Sequence, residues 1–92
     1  MTHTELVDLY LARIEAYHPG IQPIQYIDGF PCWPHLYWML KQMKTMKVNI
    51  DVEREKFNRW LGFVQGALWW SAGSNLFTIE DFRNQTRDLT YS

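Results

Sequence analysis

Ninety-two residues carrying nine basic and ten acidic side chains give one small domain with a formal net charge of −1. That balance excludes a basic nucleic-acid coat and an acidic mimic of DNA, and so argues against long nucleic acid as a partner. The single cysteine, Cys32, cannot close an internal disulfide, which fits a reducing compartment, and no apolar run approaches the ~18 residues of a membrane span.

The first helix is expected from Thr2 to about Tyr17. Thr2 and Glu5 have the spacing of a capping box, in which each side chain takes the other's free backbone N–H. Leu6, Val7, Tyr10, Leu11, Ile14 and Tyr17 share one face, with Asp8, Ala12 and Glu15 opposite. "HPG", residues 18 to 20, ends it. The stretch "PGIQPIQYIDGFPCW" that follows is too rich in proline and glycine for a helix and too apolar for a solvated linker. It reads as an ordered loop lying across the helices.

Pro34 suits the first turn of a second helix, because its missing N–H has no helical partner there. This helix is expected to reach about Lys47, with Leu36, Met39, Leu40, Met43 and Met46 on its buried face and Lys41, Lys44 and Tyr37 outside it. Val48 and Ile50 could form only a scrap of strand with no partner. Asp51 is the expected N-cap of a third and longest helix, Val52 to Ala72, with Gly73 as its stop. Thr78 and Asp81 suggest a second capping box, Phe77 and Phe82 a hydrophobic staple, and together they open a short fourth helix ending near Arg87. The last five residues read as a loose tail. The expected fold is therefore all-α: three main helices, a short C-terminal helix and a loop between the first two, in a single domain over residues 1–92.

The third helix raises the functional question. Phe57, Trp60, Leu61, Val64, Ala67 and Leu68 form its core face. Gly62 and Gly66 stack on the other side among Glu55, Asn58, Arg59, Trp69, Trp70 and Gly73, where a solvated face would carry Glu, Lys and Gln. Each glycine costs a helix about 1 kcal/mol relative to alanine. Three explanations stand open: close packing on the first or second helix, contact with a second copy, or a groove for a partner. Trp69 and Trp70 point about 100° apart and cannot share one small core, so at least one faces something else.

Arg83 and Arg87, four apart on the last helix, should project together and could hold a phosphate or carboxylate. The plainer alternative is a solvated pair with Glu80 and Asp81. His3, His18, His35 and Cys32 have no zinc-ligand spacing, and no phosphate-binding glycine motif or nucleophile–base motif is present, so neither a metal, a cofactor nor an enzymatic activity is expected. The candidate binding residues are Asn58, Arg59, Gly62, Gly66, Trp69, Trp70, Arg83 and Arg87.

The C-terminal half, "KFNRWLGFVQGALWWSAGSNLFTIEDFRNQTR", resembles a pattern in small helical proteins encoded by bacteriophages and prophages: Arg-Trp-Leu-Gly-Phe, Gln-Gly, Leu-Trp, then a helix opening Phe-Thr-Ile and closing on arginine. The likeness covers about a third of the chain, and Ser71 to Leu76 is longer than the pattern carries, leaving the junction of the last two helices open. It implies a binder rather than a catalyst. The leading expectation is a phage inhibitor of a bacterial defence system, anti-CRISPR or similar, that binds a host protein in the host cytoplasm and forms a homo-oligomer. A sponge for a small cyclic-nucleotide immune signal is the alternative, and a virion structural or assembly protein the third.

Overall fold

The computed structural model describes residues 1–25, 33–73 and 75–91. It is all-α: α1 (His3–Tyr17), α2 (Trp33–Lys44), α3 (Asp51–Ala72) and a short α4 (Ile79–Arg87). Both capping boxes form. Thr2 Oγ1 accepts from the Glu5 N–H at 3.1 Å and Glu5 Oε1 accepts from the Thr2 N–H at 2.8 Å. Thr78 and Asp81 make the same exchange at the start of α4. Behind that cap, Phe77 and Phe82 close their staple with ring centroids 5.5 Å apart.

One apolar core joins all four helices. Leu6, Val7, Tyr10, Leu11 and Ile14 of α1 meet Leu36, Met39, Leu40 and Met43 of α2, Phe57, Leu61, Val64 and Leu68 of α3, and Phe82 of α4. Val48 and Phe77 fill its edges from the connections. Tyr17 departs from the expected face and is exposed. Tyr37, expected beside the lysines, is instead buried, and its hydroxyl donates to Glu15 Oε1 on α1 at 3.1 Å. That bond removes the cost of burying a phenol.

The structure revises several boundaries. Helix α2 stops at Lys44, because Thr45 folds back on Gln42 with both its N–H and its hydroxyl, at 3.0 and 2.8 Å. Val48 and Ile50 lie on a turn. Asp51 is the first residue of α3 rather than its cap; Ile50 takes the cap position with no side-chain bond, and the Asp51 carboxylate is held by Arg54. At the other end Gly73 adopts φ +60°, a left-handed conformation that favours glycine, and donates to the Trp69 carbonyl at 2.7 Å. Of the predicted ordered loop, residues 26–32, including Cys32, lie outside the described residues. Its flanks are tied: Ile21 packs on the core, and the Ile24 N–H donates to the Pro34 carbonyl at 3.1 Å.

The described part of the tail, residues 88–91, is not loose. Leu89 packs against the core, and Thr90 pairs with the N-terminal segment. Among the described residues no helix is long and apolar enough to cross a membrane.

Candidate functional site

Helix α3 buries one side only. Phe57, Leu61, Val64, Leu68 and Ala72 point inward at helical spacing. Trp60 and Ala67, expected in the core, are half-buried at its edge. The outer side carries Arg59, Gly62, Phe63, Gly66, Trp69 and Trp70, all exposed. Phe63 keeps 46%, Trp69 39% and Trp70 76% of its surface open, an unusual cluster of rings for the outside of a small domain.

The glycines at its centre are not explained by packing among the described residues. A Cβ built on Gly62 or Gly66 meets nothing within 4 Å among those residues. Neither has a positive φ, so backbone conformation does not demand glycine either. Close approach of α1 or α2, the first of the three explanations, is overturned, because those helices sit against the opposite side of α3. What remains is a shallow, side-chain-free strip bordered by rings. Gly66→Ala should therefore raise stability by about 1 kcal/mol, since it removes backbone freedom from the unfolded chain and inserts a methyl into open space. A denaturant titration in which Gly66→Ala is less stable than the parent would contradict this placement.

Beside the strip lies a groove that sequence reasoning missed. His35, Trp38 and Met39 of α2 and Trp60 and Phe63 of α3 line an open apolar depression of about 410 Å³. Its walls are braced. The Trp38 and Trp60 rings lie 6.1 Å apart, His35 stacks on Trp38 at 5.6 Å, and His35 Nδ1 sits 3.2 Å from the Ile24 carbonyl oxygen. The Lys56 ammonium rests 5.0 Å from the Trp60 ring. One signal was available: Trp38 falls off the buried face of α2, so a large ring had to lie at an edge or outside.

On the other flank of α3, Arg83 and Arg87 do come together as expected. They line an apolar groove of about 460 Å³ with Gln65, Ile79, Phe82 and Thr86. Their counter-charges differ from expectation. Arg87 grips Asp88 through Nε and Nη2 at 3.1 and 3.3 Å, which raises the guanidinium's pKa and lowers that of the carboxyl. Asp81 is spent on the helix cap, and neither it nor Glu80 forms an ion pair with the arginines among the described residues. Arg83 is thus the guanidinium of this groove without an ion pair among those residues. Asn58, also a candidate, is exposed and engaged within the chain: the Tyr91 hydroxyl donates to its Oδ1.

Comparison with known proteins returned no match: no protein-family model fits the chain, and no curated protein and no solved structure matches it. Function is therefore argued from the surface itself. Among the described residues no group of three or more His, Cys, Asp or Glu side chains is placed to hold a metal. The chemistry this face offers is apolar contact around a strip where another backbone can come close.

Proposed function

We propose that this chain is a non-enzymatic binding protein whose working surface is the outer side of α3 together with the α2–α3 groove. The observation that supports this reading is the exposure of Phe63, Trp69 and Trp70 around two glycines that pack against nothing among the described residues. Exposed rings are the side chains that become energetic anchors when a partner buries them. The phage-like pattern of the C-terminal half supplies the kind of partner: a host protein of a bacterial defence system, which the chain inhibits by occupying it.

The test pairs folding with activity. Gly66→Leu should fold and be no less stable than the parent, because leucine is the better helix former and its side chain enters open space. Phe63→Asp should also fold, since that ring is exposed. Both should lose protection of phage in a plating assay on a defence-proficient host, by tenfold or more. Folded variants that inhibit as well as the parent would remove this face from the molecule's function.

A second reading, self-association, is favoured by spacing. Glu55, Arg59, Gly62, Gly66, Trp69 and Gly73 recur at intervals of four and three, the seam of a helix pair. Antiparallel pairing sets Gly62 opposite the second copy's Gly66 and Arg59 opposite its Trp69. Parallel pairing would set Arg59 on Arg59. The last turn of α3 has no basic residue of its own, and Arg59 of a second copy would supply a cation to its carbonyl end. Native mass spectrometry at micromolar concentration should show a dimer that Gly66→Leu dissolves. A monomeric parent at that concentration would leave the seam to a different protein.

A further inference from the structure

Both ends of the described chain meet over one buried histidine. The His3 N–H donates to the Thr90 carbonyl and the Thr90 N–H to the Met1 carbonyl, each at 2.9 Å, and Thr2 and Thr90 form a parallel bridge. Tyr91 then lies on α3, with its hydroxyl on Asn58 and the Arg54 guanidinium 6.0 Å from its ring. Beneath sits the His3 imidazole, only 4% exposed. It meets Phe57 edge-on at 5.5 Å and stacks with Tyr91 at 6.2 Å. Its Nε2 is 3.3 Å from Thr4 Oγ1, while its Nδ1 is buried with no partner.

That environment suits a neutral ring and not a charged one. A neutral imidazole can leave one nitrogen as an unused acceptor, but an imidazolium carries N–H on both and needs two acceptors. The ring also stands in the first turn of α1, where the helix dipole opposes positive charge. Among the described residues no ion pair compensates. The elements that meet at the ring carry these charged or titratable groups nearest in sequence to its contacts: Glu5 on α1, Asp51 and Arg54 on α3, and Asp88, the Tyr91 phenol and the Met1 amino group on the terminal segments. Glu5 is taken by the Thr2 N–H, Asp51 by Arg54 and Asp88 by Arg87. Among the described residues none forms an ion pair with His3.

We propose that Thr90 and Tyr91 form an acid-released strap: a proton on His3 opens the Thr2–Thr90 bridge and lifts Tyr91 from α3, uncovering Phe57 and freeing the Asn58 side chain. The inference is independent of the binding reading above. Burial also lowers the pKa of His3 below its ordinary value of 6.5, in the direction the geometry requires. The sign follows. The closed strap is fully favoured above the open-state value near 6.5 and loses ground as pH falls below it, until the closed-state value is passed. One proton gives a change of about tenfold in the opening constant per pH unit within that window.

Amide hydrogen exchange on the full chain between pH 7.5 and 5, corrected for intrinsic rates, tests this. Stopping at pH 5 avoids titrating Glu5, whose pKa the Thr2 cap lowers. The opening constant at the Thr90 amide should rise as pH falls from 6.5 to 5, by at most about 16-fold for one proton, and should level off where the His3 ring itself titrates by NMR. Core amides such as Leu40 should not follow. In His3→Phe, which keeps a buried ring but cannot take a proton, the rise should vanish. A Thr90 opening constant that is flat to pH 5, that rises equally in His3→Phe, or that rises only together with the core amides would overturn the proposal. Should His3→Phe fail to fold, the parent alone decides: a His3 ring that titrates while Thr90 stays closed is equally fatal.

Discussion

Phe57→Ala should cost about 3–5 kcal/mol and leave little folded protein at 37 °C. Phe57 has no solvent exposure and sits among core residues of α1, α2 and α3, with His3 and Tyr91 against its edges. A domain of this size has a total stability of roughly 5–14 kcal/mol, so one such cavity removes a large share of it. The cavity cannot collapse cheaply, because the ring lies inside one continuous core and the His3 and Tyr91 rings rest on it. Leu68→Ala, also fully inside, should behave similarly at about 2–5 kcal/mol. Trp60→Ala should cost clearly less than either, since Trp60 stands at the rim of the α2–α3 groove with one side open. Urea titrations of the three variants read this order directly. A Trp60→Ala protein as damaged as Phe57→Ala would place Trp60 in the core after all.

Tyr10→Phe should produce the other large effect, through hydrogen bonds and pH rather than volume. Tyr10 is wholly inside, its ring 5.2 Å from Phe77 and 6.2 Å from Phe82. Its hydroxyl donates to Gln85 Oε1 at 2.5 Å and accepts from Gln65 Nε2 at 3.0 Å; the same Gln65 nitrogen donates to Thr86 Oγ1 at 3.1 Å. This network ties α1, α3 and α4 together. Removing the hydroxyl strands the Gln85 oxygen and should cost about 1–3 kcal/mol at neutral pH. Burial pushes the Tyr10 pKa up to about 12, with the Gln65 hydrogen bond acting weakly the other way. The folded state therefore keeps its proton longer than the unfolded state. Stability from this group is complete below pH 10 and is lost as pH rises from about 10 through about 12, a total of about 2–3 kcal/mol. In Tyr10→Phe that alkaline contribution should disappear, so the parent and the variant converge in stability as pH rises. Parallel urea curves at pH 8 and pH 11 measure it. A gap between the two proteins that stays constant with pH would show that the Tyr10 hydroxyl is not buried as described.

The local order of this chain could be read from its residues alone. Thr2–Glu5 and Thr78–Asp81 start helices because short side chains at those spacings satisfy free N–H groups wherever they occur. The periodicity of Leu6, Val7, Tyr10, Leu11 and Ile14, and of Phe57, Leu61, Val64 and Leu68, marks the inner faces because a helix repeats every ~3.6 residues whatever packs on it. Arg83 and Arg87 share a side for the same reason. The oddity of Gly62 and Gly66 beside Trp69 and Trp70 was also visible, although its meaning was not.

What tertiary structure decided was the occupant of each remaining face. Periodicity says that a residue is on a face, not what approaches that face. Only the placement of α1 and α2 leaves the two glycines in open space and exposes Phe63. Trp60 and Trp38, 22 positions apart in sequence, form one groove only because α2 and α3 pack side by side. The network from Tyr10 to Gln65, Gln85 and Thr86 joins residues up to 76 positions apart. The strap is the longest-range contact of all: a polar tail reads as loose until Thr90 meets Met1 and His3, 87 and more positions away, and Tyr91 comes down on Asn58. Local sequence carries helix phase because backbone hydrogen bonds span four residues; the surfaces that bind and the ends that close arise from pairings that no local pattern encodes.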